Sequence, residues 1–109
     1  MTHYFNYIVT NSRRSRFYIG TTADLWESLH RHKVRPVQGV SHAFFLDHLV
    51  WYEEQDWFLE AIRKEKEIKS MDRSALVGFI ESKNPFWEDL SPGFVSLKLN
   101  DFLKQIHLN

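Results

Sequence analysis

The tightest constraint on the fold lies near the start of the chain. Two short segments rich in aromatic and β-branched residues, Tyr4-Phe-Asn-Tyr-Ile-Val-Thr10 and Arg16-Phe-Tyr-Ile-Gly-Thr21, flank the run Asn11-Ser-Arg-Arg-Ser15. Residues of the first kind favour extended backbone, and the run between them has turn composition. The spacing predicts a β-hairpin. Thr21, Thr22 and Asp24 then offer capping side chains for a helix from Leu25 to about Lys33, and Pro36 and Gly39 mark a loop. His48-Leu-Val-Trp-Tyr-Glu53 reads as a third strand.

Asp56 is placed to cap a longer helix, roughly Trp57 to Ser70, with Trp57, Phe58, Ala61, Ile62 and Ile68 on one side. Asp72 is placed to cap another, to about Ser82, with Leu76, Val77, Phe79 and Ile80 as its core face. Asn84-Pro85 ends it. Beyond Gly93, Asn100 or Asp101 offers a cap for a short helix carrying Phe102, Leu103 and Ile106. The expected fold is α+β: a small three-stranded antiparallel sheet flanked by helices, in the order β-β-α-β-α-α plus a C-terminal tail. Residues 1–91 form the domain in this reading, and 92–109 an extension packing on it.

The 109 residues, 43% of them hydrophobic, suit one domain with one core. The chain has no Cys, which excludes a disulfide framework, a Cys-ligated zinc and a thiol nucleophile. No apolar run approaches the ~20 residues of a membrane span. The first residues lack the basic and apolar regions of a signal peptide, so the expected location is cytoplasmic. Fourteen basic residues balance fourteen acidic ones. That counts against binding nucleic acid by bulk charge and leaves room for a local basic groove.

Several polar residues break the pattern. Glu65 lies about 40° from Ala61 and about 60° from Ile62 and Ile68 on the helical wheel, inside the apolar stripe. A carboxylate there needs a partner. An ion pair with Lys69 is the ordinary explanation, and a bound metal or a catalytic role is the other. His32 shares a face with Leu25, Ser28 and Leu29, as a hydrogen-bonded boundary histidine would. Tyr7 and Tyr18 lie on the two hairpin strands as packing residues. A phenol there could also orient a water or a phosphate, or act as a base if its pKa fell from ~10. Arg13, Arg14 and Arg16 cluster at the hairpin tip, and His30, Arg31, His32, Lys33 and Arg35 form a second basic group. Such groups are usually a solvated turn and a solvated helix end, but they can contact phosphates.

Phe5-Asn6-Tyr7, then Tyr18-Ile19-Gly20 eleven residues beyond the first tyrosine, then Thr21-Thr-Ala-Asp-Leu25 and the helix ending Leu29-His-Arg-His-Lys33, resemble the GIY-YIG nuclease superfamily. Leu49-Val-Trp-Tyr-Glu-Glu54, Glu60-Ala-Ile-Arg-Lys-Glu-Lys-Glu-Ile-Lys69 and Asn84-Pro-Phe-Trp-Glu-Asp-Leu90 extend the likeness to its small stand-alone bacterial members, over about residues 3 to 91. The resemblance implies a metal-dependent endonuclease, a phosphodiesterase acting on nucleic acid, with DNA the first candidate. It implies that Tyr7 helps activate the attacking water and Tyr18 lines the phosphate site. Glu65 would hold one divalent ion, Mg²⁺ or Mn²⁺, while His32 and Asn84 support the site. Arg13, Arg14, Arg16, Arg31, Lys33, Lys69 and Arg73 are the expected nucleic-acid contacts.

The chain departs from the family at one point. Ten residues after the second tyrosine the family carries an arginine that stabilises charge on the phosphoryl oxygens. Here that residue is Ser28, with Glu27 beside it. Loss of one preorganised charge-stabilising group costs about 10²–10³ in rate. Arg31, about 60° round the wheel from Ser28, is not expected to replace it. A weakened or inactive nuclease, serving as a non-catalytic module that binds nucleic acid or protein, is the alternative. A purely protein-binding role would draw on Phe86, Trp87, Phe94 and Phe102.

Overall fold

The computed structural model describes residues 3–34 and 45–92. The expected loop at Pro36 and Gly39, Arg35, and the extension from residue 93 with its helix lie outside the described residues, as does the Lys33 side chain. The elements are β1 (Tyr4–Thr10), β2 (Phe17–Thr22), α1 (Leu25–Val34), β3 (His48–Gln55), α2 (Phe58–Lys69) and α3 (Arg73–Lys83). The fold is α+β, as expected.

The three strands form one antiparallel sheet in the order β2-β1-β3, so β2 is an edge strand. Side chains alternate across β1 and sort the core into two layers. Tyr7 and Val9 pack with Leu25, Leu29, Leu46 and Leu49 on the α1 side. Ile8 packs with Val50, Trp51, Ile68, Leu76 and Ile80 on the side of α2 and α3. The register with β3 slips between Ile8 and Val9: Trp51 faces Ile8 and Leu49 faces Val9, so Val50 is the extra residue. This bulge lets Val50 and Trp51 both serve the α2–α3 layer. Among the described residues no helix is long and apolar enough to cross a membrane.

Two expectations about α2 need correction. Its N-cap is Trp57, with no side-chain cap, and Asp56 does not cap it. β3 runs on to Gln55, so Asp56 falls at the turn, with its carboxylate 3.4 Å from His3 Nδ1. Trp57 and Phe58 are 63% and 51% exposed rather than core, while Ala61 and Ile68 are fully buried. Phe58 packs against the Tyr4 ring, at 5.3 Å between centroids.

The cap of α3 is as expected: the Asp72 carboxylate accepts from the Ala75 N–H. At its other end Asn84 is buried. Its Nδ2 donates to the Val50 and Glu88 carbonyls at 3.0 and 2.9 Å, and its Oδ1 accepts from the Glu88 N–H. One side chain thus ties the end of α3, the following turn and β3 together. Asn84→Ala removes all three bonds from a buried site and should cost about 2 kcal/mol. For a domain of this size that lowers Tm by about 10 °C, measurable by calorimetry. An unchanged Tm would contradict this role.

Candidate active site at the edge strand

Gly20 sits opposite Tyr7 in the β1–β2 pairing. A Cβ there would lie 2.8 Å from Tyr7 Cζ and 2.8 Å from Tyr18 Cε1, so only glycine lets both rings close over the strand. The Tyr7 and Tyr18 centroids are 6.0 Å apart. The His32 ring, from α1, lies 5.8 Å from Tyr7 and 4.9 Å from Tyr18. Tyr7 Oη and His32 Nε2 are 3.2 Å apart. Tyr7 is buried, whereas Tyr18 is 46% exposed. The structure therefore brings Tyr7, Tyr18 and His32 into one cluster on the α1 side of β2.

Burial pushes the Tyr7 phenol well above its ordinary range, and the neighbouring Tyr18 adds to this. The Ser28 hydroxyl and the Arg31 guanidinium pull the other way without overcoming it. Tyr7 is thus protonated at neutral pH and cannot serve as a phenolate base by its own ionisation. Burial, and then the Arg31 charge, lower the His32 pKa below 6.5, so its imidazole is neutral. A protonated phenol beside a neutral imidazole can share one proton in either sense: Tyr7 O–H donates when Nε2 is unprotonated, and Nε2–H donates to the phenol oxygen in the other tautomer.

Two hydroxyl-bearing residues, Ser28 and the expected cap Thr22, extend these interactions together with Arg31. Ser28, fully buried on α1, donates to Thr22 Oγ1 at 2.9 Å. Arg31 Nη2 donates to Ser28 Oγ at 3.1 Å and to Glu27 Oε2 at 3.2 Å. Arg31, not expected to take the place of the family's arginine, does reach Ser28 with its guanidinium. Side chains on a helix lean toward its N-terminus, and the long arginine stem spans the 60° that the wheel assigns.

Glu65 reaches the same strand from the other side. Strand alternation sends Thr21 toward α2, between Gly20 and Thr22. Thr21 Oγ1 donates to Glu65 Oε1 at 2.6 Å and accepts from Asn6 Nδ2 at 3.0 Å. Lys69 Nζ donates to Glu65 Oε2 at 3.0 Å, so the i,i+4 ion pair is present. Burial alone would raise the Glu65 pKa, but the bonds from Thr21 and Lys69 prevail and hold it below the usual carboxylate value. Asn6 is fully buried; its Nδ2 also donates to the Ala61 carbonyl, and its Oδ1 has no partner among the described residues. Its signal in the sequence was a lone amide between Phe5 and Tyr7, in a strand otherwise aromatic and β-branched.

Other expected site residues lie apart from this edge. Asn84 is bonded to the backbone of β3 and of the turn after α3. At the hairpin tip the Arg14 guanidinium covers the Trp87 ring at 4.9 Å. Arg73 covers Phe17 at 5.5 Å and donates to the Arg14 carbonyl. Arg13 and Arg16 flank this exposed tip. The described residues also include His3, Glu54 and Asp56, whose ligand-type atoms lie within 4.8 Å of one another on partly exposed side chains.

A family model, the GIY-YIG catalytic domain, matches residues 3–77, well over half the chain. The chain belongs to the GIY-YIG family. The fold also matches the solution NMR structure of UPF0213 protein BH0048 from Bacillus halodurans, with a TM-score of 0.51 and 23% identity. The match covers 80% of this chain and 92% of that one. At that identity the likeness is one of fold. No curated protein matches the chain significantly. The GIY-YIG hairpin places Tyr7 and Tyr18 on paired strands, with Val9 opposite Tyr18 and Gly20 opposite Tyr7.

The neutral imidazole sets a pH dependence. With the folded pKa of His32 below its unfolded value of about 6.5, the unfolded chain takes up the proton first as pH falls. The stability linked to His32 is complete above about pH 6.5 and is lost as pH falls from there toward the folded pKa. Urea midpoints should therefore decline from pH 7.5 to 5.5, and His32→Gln should flatten that slope. Glu65 acts in a separate window, below about pH 4.5. A slope unchanged in His32→Gln would contradict the assignment.

Proposed function

We propose that this GIY-YIG domain is a divalent-metal-dependent endonuclease that hydrolyses a phosphodiester of nucleic acid, DNA in the first instance, at the outer edge of β2. The observation that carries the reading is the position of Glu65. Its anionic carboxylate is tied to Thr21, one residue along β2 from the glycine that seats the Tyr7–Tyr18–His32 cluster.

The Glu65 carboxylate and the Thr21 hydroxyl are oxygen donors of the kind a hard cation such as Mg²⁺ or Mn²⁺ takes, with Lys69 as the competing partner on Oε2. Glu65 is ionised and partly open to solvent, at 23% side-chain exposure. Glu65 would hold the ion. When bound, the ion supplies positive charge to a phosphoryl oxygen and a water of lowered pKa. The protein's own groups supply the rest. Tyr7, held protonated, passes its proton to His32 Nε2 as its oxygen takes one from the attacking water. Neutral His32 is the ready acceptor for that transfer. The exposed Tyr18 hydroxyl lines the phosphate, and Lys69 stands beside it as a counter-charge. Arg13, Arg14, Arg16 and Arg73 at the hairpin tip, with Lys33 at the end of α1, contact the flanking backbone. A nucleic-acid substrate is in keeping with the cytoplasmic location expected from the sequence.

The purified protein with Mg²⁺ or Mn²⁺ should nick supercoiled plasmid or cut labelled oligonucleotides. Glu65→Gln keeps an acceptor for Thr21 while removing the charge, and should lower the rate by about 10²–10³-fold. Equal cleavage by wild type and Glu65→Gln would overturn the reading.

A further inference from the structure

Ser28 is fully buried on α1 and its hydroxyl is taken up by Thr22. A small residue at this position leaves the space above it to a neighbour, and the Arg31 guanidinium takes it. One nitrogen, Nη2, bonds both Ser28 Oγ and Glu27 Oε2. These two bonds to consecutive residues one turn back orient the group, while the side chain stays 52% exposed. A guanidinium has five N–H donors. Both of its hydrogen bonds to described side chains are made through Nη2, so Nη1 and Nε have no partner among the described residues.

The charge is also close enough to act on the tyrosine–histidine cluster. It adds to the lowering of the His32 pKa and partly offsets the rise that burial gives Tyr7, and the outer member of that cluster, Tyr18, is exposed. A guanidinium with open planar donors, acting on the two rings that pack against the exposed Tyr18, is matched to a phosphate oxygen pair.

We propose that Arg31 is the phosphate-contacting cation of this site: folded back onto Ser28, it donates from Nη1 and Nε to the non-bridging oxygens of a phosphodiester held against Tyr18. This deepens the nuclease reading and rests on it. In this chain the serine is then a seat for an arginine three residues further along the helix, and the charge is relocated rather than lost.

Three variants test it: Arg31→Gln, Arg31→Lys and the exchange Ser28→Arg/Arg31→Ser. Each is followed by cleavage with Mn²⁺, by binding of a 12-base-pair DNA duplex across a salt series, and by NMR titration of His32. Arg31→Gln should lower cleavage about 10²-fold or more. It should also reduce the slope of log affinity against log salt by about 1. The His32 pKa should rise, as expected when a neighbouring positive charge is removed. Arg31→Lys should recover only part of the loss, because a point charge cannot make the planar pair of bonds. The exchange variant should regain at least a tenth of wild-type cleavage.

Wild-type cleavage that depends on Glu65 but is unchanged in Arg31→Gln would overturn the role of Arg31 and leave the nuclease reading standing. If the wild type cleaves nothing, the nuclease reading fails and the duplex decides about Arg31. Tyr18 and His32 resonances that shift with duplex in wild type but not in Arg31→Gln support the phosphate contact. Identical shifts in both overturn it.

Discussion

The site depends on one close approach. The Tyr7 and Tyr18 rings meet over Gly20, where any side chain would come within 2.8 Å of both. That contact requires β1 and β2 to pair in a single register, with Tyr7 opposite Gly20 and Val9 opposite Tyr18. A slip of one residue would turn Tyr7 toward α2 and send Ile8 into the α1 layer, exchanging the contents of two cores. The apolar sorting of Tyr7 and Val9 against α1, and of Ile8 against α2 and α3, therefore holds the phenols in place.

The same strand separates two electrostatic environments. On the α1 side, burial keeps Tyr7 protonated and His32 neutral, so the pair carries no charge and can move a proton between a phenol and an imidazole. On the α2 side, Thr21 and Lys69 keep Glu65 ionised despite partial burial. A neutral phenol–imidazole pair, its phenol packed over Gly20, and an anion bonded to Thr21 thus flank adjacent residues of the edge strand β2. An edge strand leaves one row of backbone groups unpaired, and here it presents both environments to solvent.

Much of this was legible from the chain. The hairpin, α1 and the Asp72 cap follow from β-branched and aromatic runs, turn composition and capping residues. Glu65 stood out because a carboxylate interrupts a helical apolar stripe. Asp56 misled because a good capping residue next to an aromatic pair looks like a helix start, whereas β3 continues two residues further and His3 draws that carboxylate away. Trp57 and Phe58 misled because periodicity reports a face and not whether the sheet extends beneath it. The reach of Arg31 to Ser28 is invisible to a wheel drawn through Cα positions, since it depends on the length and lean of the side chain. The partnership of Thr21 with Glu65 spans 44 residues and rests on tertiary packing alone.

The central claim is that the second-helix acid and the phenol pair serve one substrate at β2. A crystal structure with Mn²⁺ and a non-hydrolysable phosphorothioate duplex, read by anomalous scattering, tests it most directly. The account predicts manganese in direct coordination with a Glu65 oxygen and a phosphate oxygen within hydrogen-bonding distance of Tyr18. Manganese bound only between His3, Glu54 and Asp56, with the duplex away from Tyr18, would contradict it.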